Sequence, residues 1–160
     1  MFNALYSLGA IEGAVVLDLF AGTGALGIEA LSRGAERAVF VENSRSGADL
    51  VRQNVATCGM GDRAEVIVAD GTSWVRANRN EWDLVLLDPP YGFDSWPDLL
   101  DSVAGGVPGS VVVVESNHEL DPGPRWNVES TRRHGSTVVM LMRQAPEANQ
   151  PTDPTGSHHK

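Results

Sequence analysis

The chain of 160 residues holds one cysteine, Cys58, and one lysine, Lys160. A lone thiol excludes an internal disulfide and argues against a structural zinc centre, which draws on several thiolates. His118, His134, His158 and His159 show no ligand spacing with carboxylates, so no metal site is expected. Long apolar runs are also missing. The longest has the length of a strand, and Met1-Phe2-Asn3 lacks a basic flank. Neither a membrane span nor a secretory leader is expected, and a cytoplasmic protein is the default. Basic charge is scarce: 12 Lys and Arg face 21 Asp and Glu, for a formal net charge of -9. Phosphate contacts dominate nucleic-acid affinity, so such a total argues against a protein that grips nucleic acid unaided. Total charge does not set its distribution, however.

What is present alternates. Phe2, Leu5 and Leu8, stopped by Gly9, predict a helix over 1–8. The apolar run 14–20 predicts a first strand buried on both faces. Helices are expected over 25–33 and 44–58, with Leu26, Ala30 and Leu31, then Ala48, Val51 and Val55, turned inward. Two more are expected over 72–78 and 96–104. Further strands are expected over 37–42, 64–70, 82–88 and 110–115, with 82–88 ended by a double proline. Two last strands, 126–133 and 137–143, are separated only by His134-Gly135-Ser136, which forces an antiparallel pair. The pattern predicts one α/β, Rossmann-like domain over 1–143. Its sheet is expected to be seven-stranded and mostly parallel, with helices on both faces and a terminal antiparallel hairpin. Residues 144–160 are almost free of apolar side chains and predict a disordered tail.

The stretch from Leu17-Asp18-Leu19-Phe20-Ala21 into Gly22-Thr23-Gly24-Ala25-Leu26-Gly27 leads a strand through a glycine-rich turn into a helix. The match to G-x-G-x-x-G in that context predicts a nucleotide-cofactor site at Asp18, Phe20, Ala21, Gly22 and Gly24. Glycine lets the backbone turn sharply and approach a ligand, so a side chain at Gly24 is expected to block that approach. Glu42-Asn43 closes the second strand, where a carboxylate takes ribose hydroxyls. Spacing alone does not separate a nicotinamide dinucleotide from S-adenosylmethionine. The strand ends carry Asp18, Glu42, Asp70 and Asp88, which repel a pyrophosphate and attract a sulfonium and an ammonium. Asp70, before Gly71, is placed equally well to meet an adenine amine or to cap the next helix.

Asp88-Pro89-Pro90-Tyr91 closes the fourth strand. Exocyclic base amines are poor nucleophiles because their lone pair is delocalised into the ring. The Asp88 carboxylate and the Pro89 carbonyl are two acceptors that can orient such an amine, and the prolines stiffen the turn. Pro90 borders the base, and Tyr91 offers it a flat face, with Trp96 expected in the loop above as a second platform. Arg132-Arg133-His134 is the best cluster for phosphate, ahead of Arg33, Arg37 and Arg125.

The run Leu17 to Ala35, with Val41-Glu42, Asp70, Asp88-Pro89-Pro90-Tyr91 and Val114-Glu115-Ser116 in the same order, resembles the RsmD-type 16S rRNA (guanine-N2-)-methyltransferases. The resemblance implies a class I S-adenosylmethionine-dependent fold and a guanine of 16S rRNA, free or in the small ribosomal subunit, as substrate. It implies that Asp18, Gly22 and Gly24 lie against the methionine part of the cofactor, Glu42 at the ribose and Asp70 near the adenine. Asp88 to Tyr91 would hold the guanine. The family also has an Arg-Pro-Thr-bearing segment ahead of a helix that ends in Phe-Asn. This chain starts at Met1-Phe2-Asn3, so that RNA-contacting segment is expected to be missing. The Asp-Pro-Pro-Tyr tetrapeptide is shared more widely, with adenine-N6 DNA methyltransferases. A nicotinamide-dependent oxidoreductase or a non-catalytic binding module remains an alternative.

Overall fold

Strand and helix periodicity produce a three-layer α/β/α arrangement in the computed structural model, which describes residues 1–79, 82–104 and 107–146. The helices are α1 (Phe2–Ser7), α2 (Ala25–Ser32), α3 (Arg45–Thr57), α4 (Gly71–Ala77) and α5 (Trp96–Val103). The strands are β1 (Val15–Leu19), β2 (Arg37–Glu42), β3 (Ala64–Val68), β4 (Leu84–Leu87), β5 (Val111–Ser116), β6 (Trp126–His134) and β7 (Thr137–Gln144). The sheet order is β3-β2-β1-β4-β5-β7-β6. The first five strands are parallel, and β7 pairs antiparallel with both β5 and β6. The hairpin therefore folds back so that the last strand lies inside the sheet and β6 forms the edge.

Alternate residues of each parallel strand feed two cores. Leu17, Leu19, Val85, Leu87, Val112 and Val114 face one side, where Val75 of α4 and Trp96, Leu99 and Val103 of α5 cover them. Val16, Phe40, Leu84, Leu86, Val111 and Val113 face the other, under Leu5 of α1, Leu31 of α2 and Val51 of α3. This two-sided burial is why these strands read as continuous apolar runs. Arg143 ties the far end together, donating to the carbonyls of Leu8 and Gly109.

Several element ends fall a residue or two from expectation, among them β3, which stops at Val68, and β6, which runs through His134, and two of the shifts have a visible cause. Asp83 stands before β4, where its carboxylate accepts the Val15 N–H at 2.8 Å. At the other end, β7 runs through Gln144, and buried Ala145 donates its N–H to the Arg125 carbonyl at 2.7 Å. The structured chain thus continues past 143, and the remainder of the expected tail, 147–160, lies outside the described residues. Among the described residues, no helix is long and apolar enough to cross a membrane.

Candidate active site

β1 hands its connection to β2 on one side and has β4 on the other, so the crevice beyond its carboxyl end is the topological switch point of the sheet. Register and parity then place the acids. Asp18 pairs with Phe40 and with Leu86, so Glu42 and Asp88 lie two residues further along on the same face of the sheet. Leu87 pairs with Val114, which sets Asp88 beside Glu115. Asp18, Glu42, Asp88 and Glu115 thus form a row across four adjacent strands, with Asp18 one layer deeper. Glu115 is a strand-end acid like the others, and the reasoning that singled them out would have included it.

Asp18 does not reach the crevice. It is buried, and its carboxylate accepts the Gly27 N–H at 2.9 Å. Burial pushes its pKa up to about 8; the Gly27 hydrogen bond opposes this, and Asp88 and Glu42 add to it. The cofactor contact expected of Asp18 is therefore corrected to a support beneath the glycine turn. The native state holds this proton more tightly than the unfolded chain does. Stability from this group is present at acid pH and declines as pH rises from about 4 toward about 8. Asp18→Asn, which keeps an acceptor for Gly27, is expected to remove that decline. Thermal unfolding at pH 5 and pH 8 checks it: the variant should gain on the wild type at the higher pH, and parallel curves would contradict the assignment.

The turn's glycines have different reasons to be glycine. Gly22 has φ 59° and open space where a Cβ would stand, and its N–H donates to Glu42 Oε2 at 2.8 Å. Gly24 has φ 81°, but a Cβ there would meet Val51 at 3.0 Å and Phe40 at 3.4 Å. The ligand approach expected at Gly24 is thus corrected to packing against α3 and β2. Gly27 would place a Cβ 2.4 Å from the Phe40 ring. Ala21 is fixed from both sides, donating to the Val41 carbonyl and accepting from the Gly24 N–H at 2.8 Å. Asn54 of α3 donates to the Thr23 carbonyl at 2.9 Å.

Beyond this turn opens a cleft of about 390 Å³ lined by Phe20, Gly22, Glu42, Asn43, Asp70, Gly71 and, on its far wall, Asp88, Pro90 and Phe93. Ala21, Asp18 and Gly24 do not line it. Phe20 ends β1 at φ 64°, a conformation unusual for a bulky residue and a mark of local strain. Its ring lies over Gly71, where a Cβ would come within 2.8 Å of it. Asp70 accepts the Ser73 N–H at 2.9 Å, so it caps α4 while its residue lines the cleft. The Ser73 backbone and side-chain hydrogen bonds lower its pKa.

A second cleft, of about 200 Å³, shares Asp88, Pro90 and Phe93 with the first. Pro89, Tyr91, Trp96, Glu115, Asn117, Ser136 and Thr137 complete it. Tyr91 is 93% exposed, so its ring is free to receive a flat ligand. Trp96 is only 6% exposed and packs edge-on against Phe93 with centroids 5.0 Å apart. The expected platform is thus corrected: Trp96 opens α5 as a core residue that supports Phe93. Phe93, missed by the motif reading, touches Phe20 at 5.7 Å and links the two clefts. Asp88 remains solvent-accessible, yet desolvation by the cleft walls raises its pKa. Glu115 is raised too, by burial first and by Asp88 second, with the N-terminal ammonium opposing.

Arg132 and Arg133 are exposed on β6 and do not line the cleft. They lead into the hairpin tip whose Ser136 and Thr137 do. Arg33 instead pairs with Glu29 and Arg125 with Asp101, and Arg37 starts β2 at the opposite end of the strand from the site. Among the described residues no cluster of His, Cys, Asp or Glu could hold a metal ion.

Ribosomal RNA small subunit methyltransferase D of Escherichia coli is 29% identical over 159 residues, covering 96% of this chain and 79% of that one. The YlbH protein of Bacillus subtilis is 39% identical over 142 residues, covering 83% and 77%. The solved structure of Escherichia coli yhhF superposes with a TM-score of 0.80 at 28% identity, over 89% of this chain and 81% of that one. The chain also matches large-subunit methyltransferases K/L, of whose length it spans about 10%. The fold is that of class I methyltransferases. The family described as conserved hypothetical protein 95 matches residues 1–143, and the chain belongs to that family, the RsmD family.

Proposed function

We propose that this chain transfers a methyl group from S-adenosylmethionine to the exocyclic N2 of a guanine in 16S rRNA, presented by the small ribosomal subunit or its precursor. It acts in the cytoplasm as a monomer. The observation that carries the reading is the shared wall: Asp88, Pro90 and Phe93 border a cofactor-sized cleft and a base-sized cleft at once. A donor and an acceptor held on either side of that wall meet at Asp88.

The first cleft fits S-adenosylmethionine better than a dinucleotide. Its lining contains Glu42, Asp70 and Asp88 and no cationic side chain. A pyrophosphate site needs free loop N–H groups. Here those of Gly22, Gly24 and Gly27 donate to Glu42, the Ala21 carbonyl and Asp18. The acids instead favour a ligand carrying a sulfonium and an ammonium. When bound, S-adenosylmethionine supplies an electrophilic methyl carbon. Glu42 and Asn43, which line this cleft, would take the ribose, and Asp70 and Gly71 the adenine, with Phe20 against it.

In the second cleft Tyr91 stacks on the base while the Asp88 carboxylate and the Pro89 carbonyl accept the two N–H bonds of the amine. That draws the nitrogen lone pair out of the ring and aims it at the methyl group; methylation would leave S-adenosylhomocysteine, and the proton the nitrogen loses passes to water in the open cleft. Such positioning contributes up to roughly 7–11 kcal/mol in favourable cases. Pro90 holds the turn, and Arg132 and Arg133 meet phosphates near the hairpin tip. A paired base is out of reach, so the guanine is unstacked or presented by a loop.

The test is transfer of labelled methyl groups to naked 16S rRNA and to small subunits lacking the modification. Label in the RNA of either substrate is the expected result. Absence of label from both, together with binding of NAD rather than S-adenosylhomocysteine in calorimetry, would refute the reading.

A further inference from the structure

We infer that Glu115 selects guanine, by accepting the N1–H of the target base in the cleft beside Asp88. The inference rests on the guanine-N2 reaction proposed above. The pairing of Leu87 with Val114 sets Asp88 and Glu115 side by side on adjacent strands, and both line the cleft that Tyr91 borders.

The other acids of the site have local work. Asp18 holds the Gly27 N–H, Glu42 the Gly22 N–H and Asp70 the Ser73 N–H. Glu115 is half-buried, among the described residues no hydrogen bond or salt bridge engages its carboxylate, and the N-terminal ammonium is the opposite charge that acts on it. A carboxylate that keeps only water at a cleft wall is free to accept a donor from a ligand seated there, and a charge-assisted bond of that kind is stronger than a neutral one.

Guanine supplies it. Its Watson–Crick edge carries the N1–H donor next to the N2 amine. With Asp88 and Pro89 on the amine, the neighbouring acceptor one strand away meets N1–H. Adenine and 2-aminopurine present a lone pair at N1, which faces a carboxylate unfavourably. Flipped bases are read along this edge. Asp88 thus orients the reacting nitrogen, and Glu115 distinguishes the ring that bears it.

The experiment uses a synthetic fragment of 16S rRNA that the wild type methylates, made with guanine or with 2-aminopurine at the target position. Both bases carry a 2-amino group, and only guanine has N1–H. The wild type is expected to prefer guanine by at least about 10-fold in kcat/KM, the worth of one charge-assisted hydrogen bond. Glu115→Gln can present either a carbonyl or an amide N–H to N1 and should narrow the preference to within about 3-fold. Its S-adenosylhomocysteine affinity should stay unchanged, since Glu115 lies outside the cofactor cleft. A wild type that uses both bases equally, which needs no variant, would overturn the inference. So would a Glu115→Gln enzyme that keeps the full preference. A wild type that methylates no guanine in RNA at all is a different outcome and would overturn the underlying reaction as well.

Discussion

Replacing Asp88 with alanine is expected to lower methyl transfer by roughly 10²–10³-fold, the cost of removing one preorganised hydrogen-bonding group at a reacting centre. S-adenosylhomocysteine should still bind within a few fold of wild type, because Asp88 touches only the far wall of that cleft, opposite Glu42 and Asp70. Single-turnover rates with saturating cofactor, set beside calorimetric affinity, separate the two effects. An unchanged rate would remove Asp88 from the mechanism. The same carboxylate sets the acid limb of the pH profile. Only its ionised form both accepts the amine N–H strongly and offsets the positive charge that develops on the nitrogen, and desolvation raises its pKa. The rate should therefore fall with decreasing pH through a pKa above that of an ordinary aspartate, and that limb should disappear in the residual activity of the alanine variant.

Gly27→Val should be the most disruptive change in the glycine turn. A Cβ at 27 stands 2.4 Å from Phe40 Cε1 and 3.0 Å from Asp18 Oδ2. Phe40 is fully buried and held by β2, so it cannot retreat. Overpacking of this kind costs about 1–3 kcal/mol, occasionally more. It also pushes against the carboxylate that accepts the Gly27 N–H. The variant is expected to unfold at a markedly lower temperature and to lose cofactor binding. Gly22→Ala meets no atom within 4 Å and carries only the strain of φ 59°. It should fold almost normally and lose affinity alone. Equal stability of both variants and wild type would contradict the packing described for the turn.

Much of this was legible in the chain itself. Continuous apolar strands, the glycine turn and the short hairpin connection specify the layers, and strand-end acids mark the end of the sheet that does chemistry. Parity decided what the motifs could not. Asp18 ends an apolar strand as Glu42 does, but it lies one layer deeper and faces α2, so it supports the turn instead of meeting a ligand. Trp96 follows the tetrapeptide closely, yet the helix it opens rotates it into the core, and the exposed aromatic is Tyr91. Glu115 ends a strand as the other acids do and stands in the Val114-Glu115-Ser116 stretch, but no glycine or proline motif beside it marks a role. Only the register of β4 against β5 brings it beside Asp88. The insertion of β7 between β5 and β6 likewise depends on packing that a two-strand pattern does not encode, and it is what carries Ser136 and Thr137 to the cleft.

The central claim is that Asp88 and Pro89 present the N2 amine of a guanine to the methyl group across the wall between two clefts. The most direct measurement is chromatographic identification of the labelled nucleoside released from methylated 16S rRNA. N2-methylguanosine is the expected product. N6-methyladenosine, or a methyl group on a ring nitrogen or ribose, would contradict it.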